Sequence, residues 1–166
     1  MEEELALIEV ELIIDPIDIV LCQKLSRLDQ LIVEFRKFAK QFKHEVFDLQ
    51  EMEKIVMYHR TDKSAQLQFV AMSQAMKNRL TIYVNSLNSL ICQLEDADTN
   101  LFDCYIKQLS EKISYLAFNA TSVNHHVNHE LKQYQQYVKD RQTVYSHVQE
   151  DIITFKDALI EYDNSL

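Results

Sequence analysis

The chain has 166 residues, enough for one domain with a sizeable core, and contains no glycine and a single proline, Pro16. Glycine supplies the positive backbone angles of tight hairpins and phosphate-cradling loops, so its absence argues against Rossmann folds, P-loops, small barrels and most enzyme loops. A formal net charge of −9 would repel phosphate, which argues against general nucleic-acid binding.

Residues 1–14 are read as an acidic leader, either a short helix or a mobile segment. Ile8, Val10, Leu12 and Ile14 alternate as a strand would, while Leu5, Ile8 and Leu12 fit a helix. No second strand candidate exists, so a short acidic helix or a mobile leader is favoured over a strand. Residues 1–22 carry seven acids (Glu2, Glu3, Glu4, Glu9, Glu11, Asp15, Asp18) and no Lys or Arg. A secretory signal needs a basic start and an uncharged apolar run, so none is expected here.

Asp15-Pro16-Ile17-Asp18 has the chemistry of a helix start. Asp15 can cap free amides, proline loses nothing at the first helical position, and Asp18 suits the positive end. The spacing predicts a first helix over about 16–59. Its seam is Leu21, Leu25, Leu28, Ile32, Phe35, Ala39, Phe42, Val46 and Leu49, in strict four-three alternation. Leu31, Phe38 and Met52 widen the stripe, which suits a bundle better than a two-stranded coil. Beside the seam runs a basic stripe of Arg36, Lys37, Lys40, Lys43 and His44. It could meet an acidic protein surface, a phosphate or an anionic membrane. Pairing with Glu150, Asp151 and Asp157 of the same chain would explain it without a partner.

The seam fails near Arg60, and Thr61, Asp62 and Ser64 can cap a new helix. A second helix over about 64–97 is predicted from Ala65, Phe69, Met72, Met76, Leu80, Tyr83, Leu87, Leu90, Leu94 and Ala97. The two four-steps at Met72–Met76–Leu80 resemble a stutter, and both methionines are read as core filling. A second turn is expected at residues 96–100, where Asn100 can cap; continuity through residue 100 is the alternative, because Ala97 to Leu101 is a permitted four-step. The third helix, about 100–163, carries a seam from Phe102 through Leu109, Leu116, Ala120, Val127 and Val138 to Tyr162.

At about 1.5 Å per residue the three helices span roughly 65, 50 and 95 Å. The last ~20 residues of the third would then outrun the first. That overhang contains Tyr145, Val148, Ile152, Phe155, Leu159 and Tyr162. A contiguous exposed apolar strip marks a partner site, so these six are the candidate partner interface; the alternative is that the acidic leader or a bent third helix covers the strip within the chain.

Three further features are weighed as chemistry. His125 and His129 are four apart, a chelating spacing, but they lie opposite the seam residue Val127 and no third ligand is evident, so no metal is expected. Cys22, Cys92 and Cys104 are widely spaced and odd in number, which suits reduced thiols rather than disulfides or zinc. Asn119-Ala120-Thr121 matches a glycosylation sequon by chance. No Glu-x-x-His motif is present, and no catalytic residue or cofactor is expected. No stretch approaches the ~18 apolar residues of a membrane span, so the expectation is an intracellular, soluble protein.

The size, the acidity, the lack of glycine and the seams Leu21 to Leu49 and Phe102 to Tyr162 resemble small all-helical subunits of cytoskeletal assemblies, above all a small subunit of augmin. Small subunits of kinetochore and vesicle-tethering complexes share this texture. The augmin resemblance implies a structural role in recruiting the γ-tubulin ring complex to spindle microtubules during mitosis; it transfers no site residues. The expectation is therefore an all-α, elongated long-helix hairpin or three-helix coiled-coil bundle: residues 15–166 as one domain, non-catalytic, and a subunit of a hetero-oligomer of coiled-coil proteins. The alternative is a regulatory or tethering module in membrane trafficking.

Overall fold

The computed structural model describes residues 1–166. The chain is all-α, with no strand. Helix α1 runs Glu2–Tyr58, α2 runs Lys63–Ala97, a π-helical segment covers Asp98–Asp103, α3 runs Cys104–Phe118 and α4 runs Ser122–Ser165. No helix is long and apolar enough to cross a membrane.

The leader is continuous with α1 rather than separate from it. Pro16 therefore lies inside the helix, where it cannot donate to the Leu12 carbonyl. Leu12 is exposed, so water can satisfy that oxygen. Ala6 and Ile17 are buried on the same side of α1 as Leu21, Leu25 and Leu28, and this apolar anchorage offsets the lost bond.

The turn expected after residue 59 is present, and its cap is Asp62. The Ala65 amide donates to Asp62 Oδ1 at 3.1 Å, and the Gln66 amide donates to the Asp62 carbonyl at 3.1 Å. The turn expected at 96–100 is absent. There the helix widens into a π turn, which takes in one extra residue without reversing direction. Leu101 and Phe102 are consecutive and both buried, as that extra residue requires.

The reversal comes instead at residues 119–121. The Asn119 side chain donates to the Tyr115 carbonyl at 3.1 Å, Thr121 N donates to the Asn119 carbonyl at 2.9 Å, and the Asn124 amide donates to Thr121 Oγ1 at 3.0 Å. The sequon residues are thus a helix stop and a helix start. Neither turn uses a positive φ, which is how a chain without glycine folds back twice.

By contacts the chain divides into two compact units. The first contains Met1–Asp29 and Cys92–Gln149. In it the start of α4 runs parallel to α1 and antiparallel to α3. Tyr134 donates to Asp18 Oδ1 at 2.9 Å, and Tyr145 donates to Asp29 Oδ1. Both partners advance by the same step, 29 − 18 = 145 − 134 = 11 residues. On its other side α4 presents an amide ladder. Asn128 donates to the Ile113 carbonyl at 2.7 Å, Gln135 to the Ile106 carbonyl at 3.0 Å, and Gln142 to Asp98 at 2.9 Å and Asp103 at 2.6 Å. These three amides are seven residues apart. Phe102, fully buried, packs against Tyr145 with ring centres 5.7 Å apart.

The second unit contains Gln30–Ile91 and Glu150–Leu166. Its centre is aromatic. Phe155 of α4 meets the rings of Phe35, Phe38 and Phe42 at 5.5, 5.8 and 5.9 Å, all edge to face. Tyr162 meets Phe42 at 5.9 Å, and Tyr83 of α2 packs on Phe38 at 4.0 Å. Such pairs add about 0.5–1.5 kcal/mol each beyond their burial. Of the two methionines read as core filling, Met76 is buried and Met72 only half-buried; Arg79 pairs with Glu45 at 3.1 Å.

Candidate functional site

The six residues expected to form a partner strip are instead mostly core. Tyr145 and Val148 are buried in the first unit, and Ile152 and Leu159 in the second; Ile152 is 0 % exposed. Phe155 and Tyr162 are half-buried in the aromatic cluster. The expectation failed because it began the third helix at residue 100. The π turn carries the second arm on to Phe118, so α4 starts 22 residues later and its last two turns lie against α1.

The basic stripe is where the sequence places it. Arg36, Lys37, Lys40 and Lys43 are all exposed on α1 of the second unit, with His44 beside them. None forms an ion pair within 4 Å; the four ion pairs present involve Lys54, Arg79, Lys112 and Arg141. Pairing within the chain to Glu150, Asp151 or Asp157 therefore does not account for the stripe. Two large apolar residues share its face, Val33 at 47 % and Phe47 at 58 % exposure.

A second outward surface was not recognised from sequence. In the first unit Leu5, Ile8, Leu12 and Ile19 of α1 are between 50 % and 68 % exposed. They follow four-three spacing on the side of the helix away from Ala6 and Ile17. The exposed acids Glu4, Glu11 and Asp15 lie among them. The signal was present in Leu5, Ile8 and Leu12, whose helical spacing was noted, but one face of a helix is expected to be core and this one is not.

The histidines lie at the surface near the α3–α4 turn. His125 and His129 border a depression of about 280 Å3 with Thr121, Asn124 and Lys132, and His129 contacts the Gln133 amide at 3.2 Å. No group of three His, Cys, Asp or Glu side chains is gathered there or elsewhere. Cys22, Cys92 and Cys104 are free and exposed.

The perturbed titrating groups are structural. Burial pushes the Tyr134 phenol well above its ordinary range, and the hydrogen bond to Asp18 pushes it further. Burial and then the bond to Asp29 do the same for Tyr145, against the lowering influence of Arg141. Burial, then Glu53, raises Tyr162. A phenol held protonated donates a hydrogen bond; it does not supply a base at neutral pH.

Comparison of the chain with protein-family models, with curated proteins and with solved structures found no match.

Proposed function

We propose that this protein is a non-catalytic structural subunit that assembles with other helical proteins through the exposed basic face of α1. The observation that supports this reading is the set of exposed, unpaired cations Arg36, Lys37, Lys40 and Lys43 around exposed Val33 and Phe47. In a chain of net charge −9, cations left without internal partners are complementary to an acidic protein surface. Apolar side chains on the same face supply the desolvated contact that long-range charge alone lacks.

The finer proposal is a cytoplasmic, spindle-associated subunit in an assembly similar to augmin, acting in microtubule nucleation and cell division with no cofactor. It is supported by sequence texture: length, acidity and long glycine-free helices. The same basic face favours one alternative, a membrane-trafficking module that docks on anionic lipid.

Affinity purification from native cells with mass spectrometry tests all three. The parent protein should capture helical proteins with acidic surfaces, and Lys40→Glu plus Lys43→Glu should lose them. An unchanged prey list would refute the basic face as the assembly surface. Flotation of the parent with anionic vesicles, abolished by the same pair, would favour the trafficking module.

A further inference from the structure

We infer that the outward face of α1 in the first unit is a second docking surface, and that its occupant is a basic amphipathic helix of another protein. This face shares no residue with the basic face of the second unit and has the opposite charge.

Residues 5–19 carry a complete helix-pairing pattern on a side of α1 that this chain leaves open. Leu5, Ile8, Leu12, Asp15 and Ile19 step by three, four, three and four residues, which is the seam of a helix that packs along another helix. All five are exposed. The packing within the first unit uses other positions of the same turns, Ala6, Ile17 and Leu21, which are buried. An amphipathic helix needs one apolar stripe; this segment has two, and only one is covered. The outer seam ends at Ile19, because Cys22 and Ser26 take the next two places.

Charge decides what can cover it. Glu4, Glu11 and Asp18 stand directly before Leu5, Leu12 and Ile19, so one whole flank of the seam is acidic, and Glu9 lies on the other flank. Paired helices place on these flanks the charges that select a partner. Two of the four are already engaged inside the unit: Glu9 pairs with Lys112 at 3.8 Å, and Asp18 accepts from Tyr134. Glu4, Glu11 and Asp15 belong to none of the four ion pairs. Asp15 stands in the seam itself. An apolar cover would bury its carboxylate alone, a cost that only a Lys or Arg of the partner at that level offsets. Pro16 adds an acceptor one turn away, since the exposed Leu12 has lost the usual amide donor to its carbonyl. Three free carboxylates, that carbonyl and four apolar side chains lie within about 21 Å of helix. Their complement is an apolar seam flanked by cations, with one cation inside it.

The same charges disfavour the other occupants. Residues 1–22 contain no Lys or Arg, so the same segment of a second copy would set acid on acid in either orientation. An anionic membrane repels these carboxylates, and an uncharged lipid surface would bury Asp15 unpaired.

A synthetic three-heptad peptide with a Leu seam, one Lys within the seam and Lys on both flanks tests this; its counterpart carries Glu on both flanks. Binding to the full chain is read by fluorescence anisotropy and sedimentation equilibrium. The lysine peptide should bind one to one and more weakly as salt is added, and the glutamate peptide should not bind. Leu5→Ser plus Leu12→Ser should weaken the lysine peptide at least about tenfold with unchanged circular dichroism, because both side chains are exposed. Glu4→Lys plus Glu11→Lys should weaken it similarly and gain the glutamate peptide. Lys40→Glu plus Lys43→Glu should leave peptide affinity unchanged, so this face and the basic face stand or fall separately. No binding, equal binding of the two peptides, or binding that survives both double variants of residues 4–12 would overturn the inference. So would a parent dimer lost on Leu5→Ser plus Leu12→Ser, which would assign the face to a second copy. Flotation of the parent with phosphatidylcholine vesicles, lost in the same variant, would overturn it in favour of lipid.

Discussion

Replacing Ile152 by alanine separates a core role from an interface role for the end of α4. Ile152 is 0 % exposed within the second unit, and the aromatic cluster around Phe155 lies one turn further on. The change removes buried methyl and methylene groups and leaves a cavity, which costs about 2–5 kcal/mol in a well-packed core. A domain of ordinary stability has about 5–15 kcal/mol in total, so the loss is a large share. At this chain length each kcal/mol moves the melting temperature by about 2–4 °C, which gives a fall of roughly 4–20 °C. Ile153 is the internal control. It is the next residue of the same helix and is 37 % exposed. Ile153→Ala should stay within about 0.5 kcal/mol of the parent. Leu159→Ala, one heptad from Ile152 and 1 % exposed, should resemble Ile152→Ala. The assay is urea unfolding followed by far-UV circular dichroism. If Ile152→Ala costs no more than Ile153→Ala, the seam is not internal, and the end of α4 returns to being a partner strip.

Two further outcomes are expected. Asp62→Ala and Thr121→Ala each remove the side-chain oxygen that caps a helix, and each should cost about 1 kcal/mol in thermal melts, while Thr121→Asp should cost little. Tyr134 and Tyr145 should make the first unit alkali-sensitive. Unfolded phenols ionise near pH 10 while these two hold their protons higher, so the folded chain binds more protons above that pH. Stability is therefore intact below about pH 10 and falls as pH rises beyond it. Melting temperature against pH should show that decline, and Tyr134→Phe plus Tyr145→Phe should flatten it; an equal slope in both proteins would refute the assignment.

The fold class and the first turn were legible because each leaves a mark in the residues themselves. At Arg60 the apolar register changes, and Asp62 offers a cap, so a reversal is announced twice. At 119–121 the register does not change. Leu116, Ala120 and Val123 keep four-three steps straight through the reversal, although Ala120 is exposed. Periodicity cannot mark a turn whose two helices happen to share phase. Asn119, Thr121, Ser122 and Asn124 were the available sign, since their side chains compete for backbone groups. The break at 96–100 was expected because Asn100 can cap a new helix, and the stated alternative, continuity from Ala97 to Leu101, is the one present. Leu101 and Phe102, consecutive and both buried, are the mark of the one added residue.

Of the functional surfaces, the basic stripe was readable from charge alone, and its freedom from internal pairing was not. Whether Lys40 finds a carboxylate depends on which face of α1 the bundle covers, and that is a tertiary fact. The outer row from Leu5 to Ile19 was hidden by Pro16. A proline with an aspartate before it marks a helix start, and that reading separated Leu5, Ile8 and Leu12 from Ile19. Once α1 is seen to run through Pro16, the row is continuous.

The polar contacts of α4 in the first unit work as a vernier. The amides of Asn128, Gln135 and Gln142 repeat every seven residues along α3 and the π segment. The phenols of Tyr134 and Tyr145 repeat every eleven along α1. Uniform hydrophobic seams let helices slide by a heptad at little cost. Here a slide of seven offers every amide a new carbonyl but strands Asp18 and Asp29, and a slide of eleven restores one phenol while breaking the amides. Two scales with no short common multiple coincide only at zero displacement. A chain with long, repetitive seams and no glycine to punctuate them thereby holds one alignment.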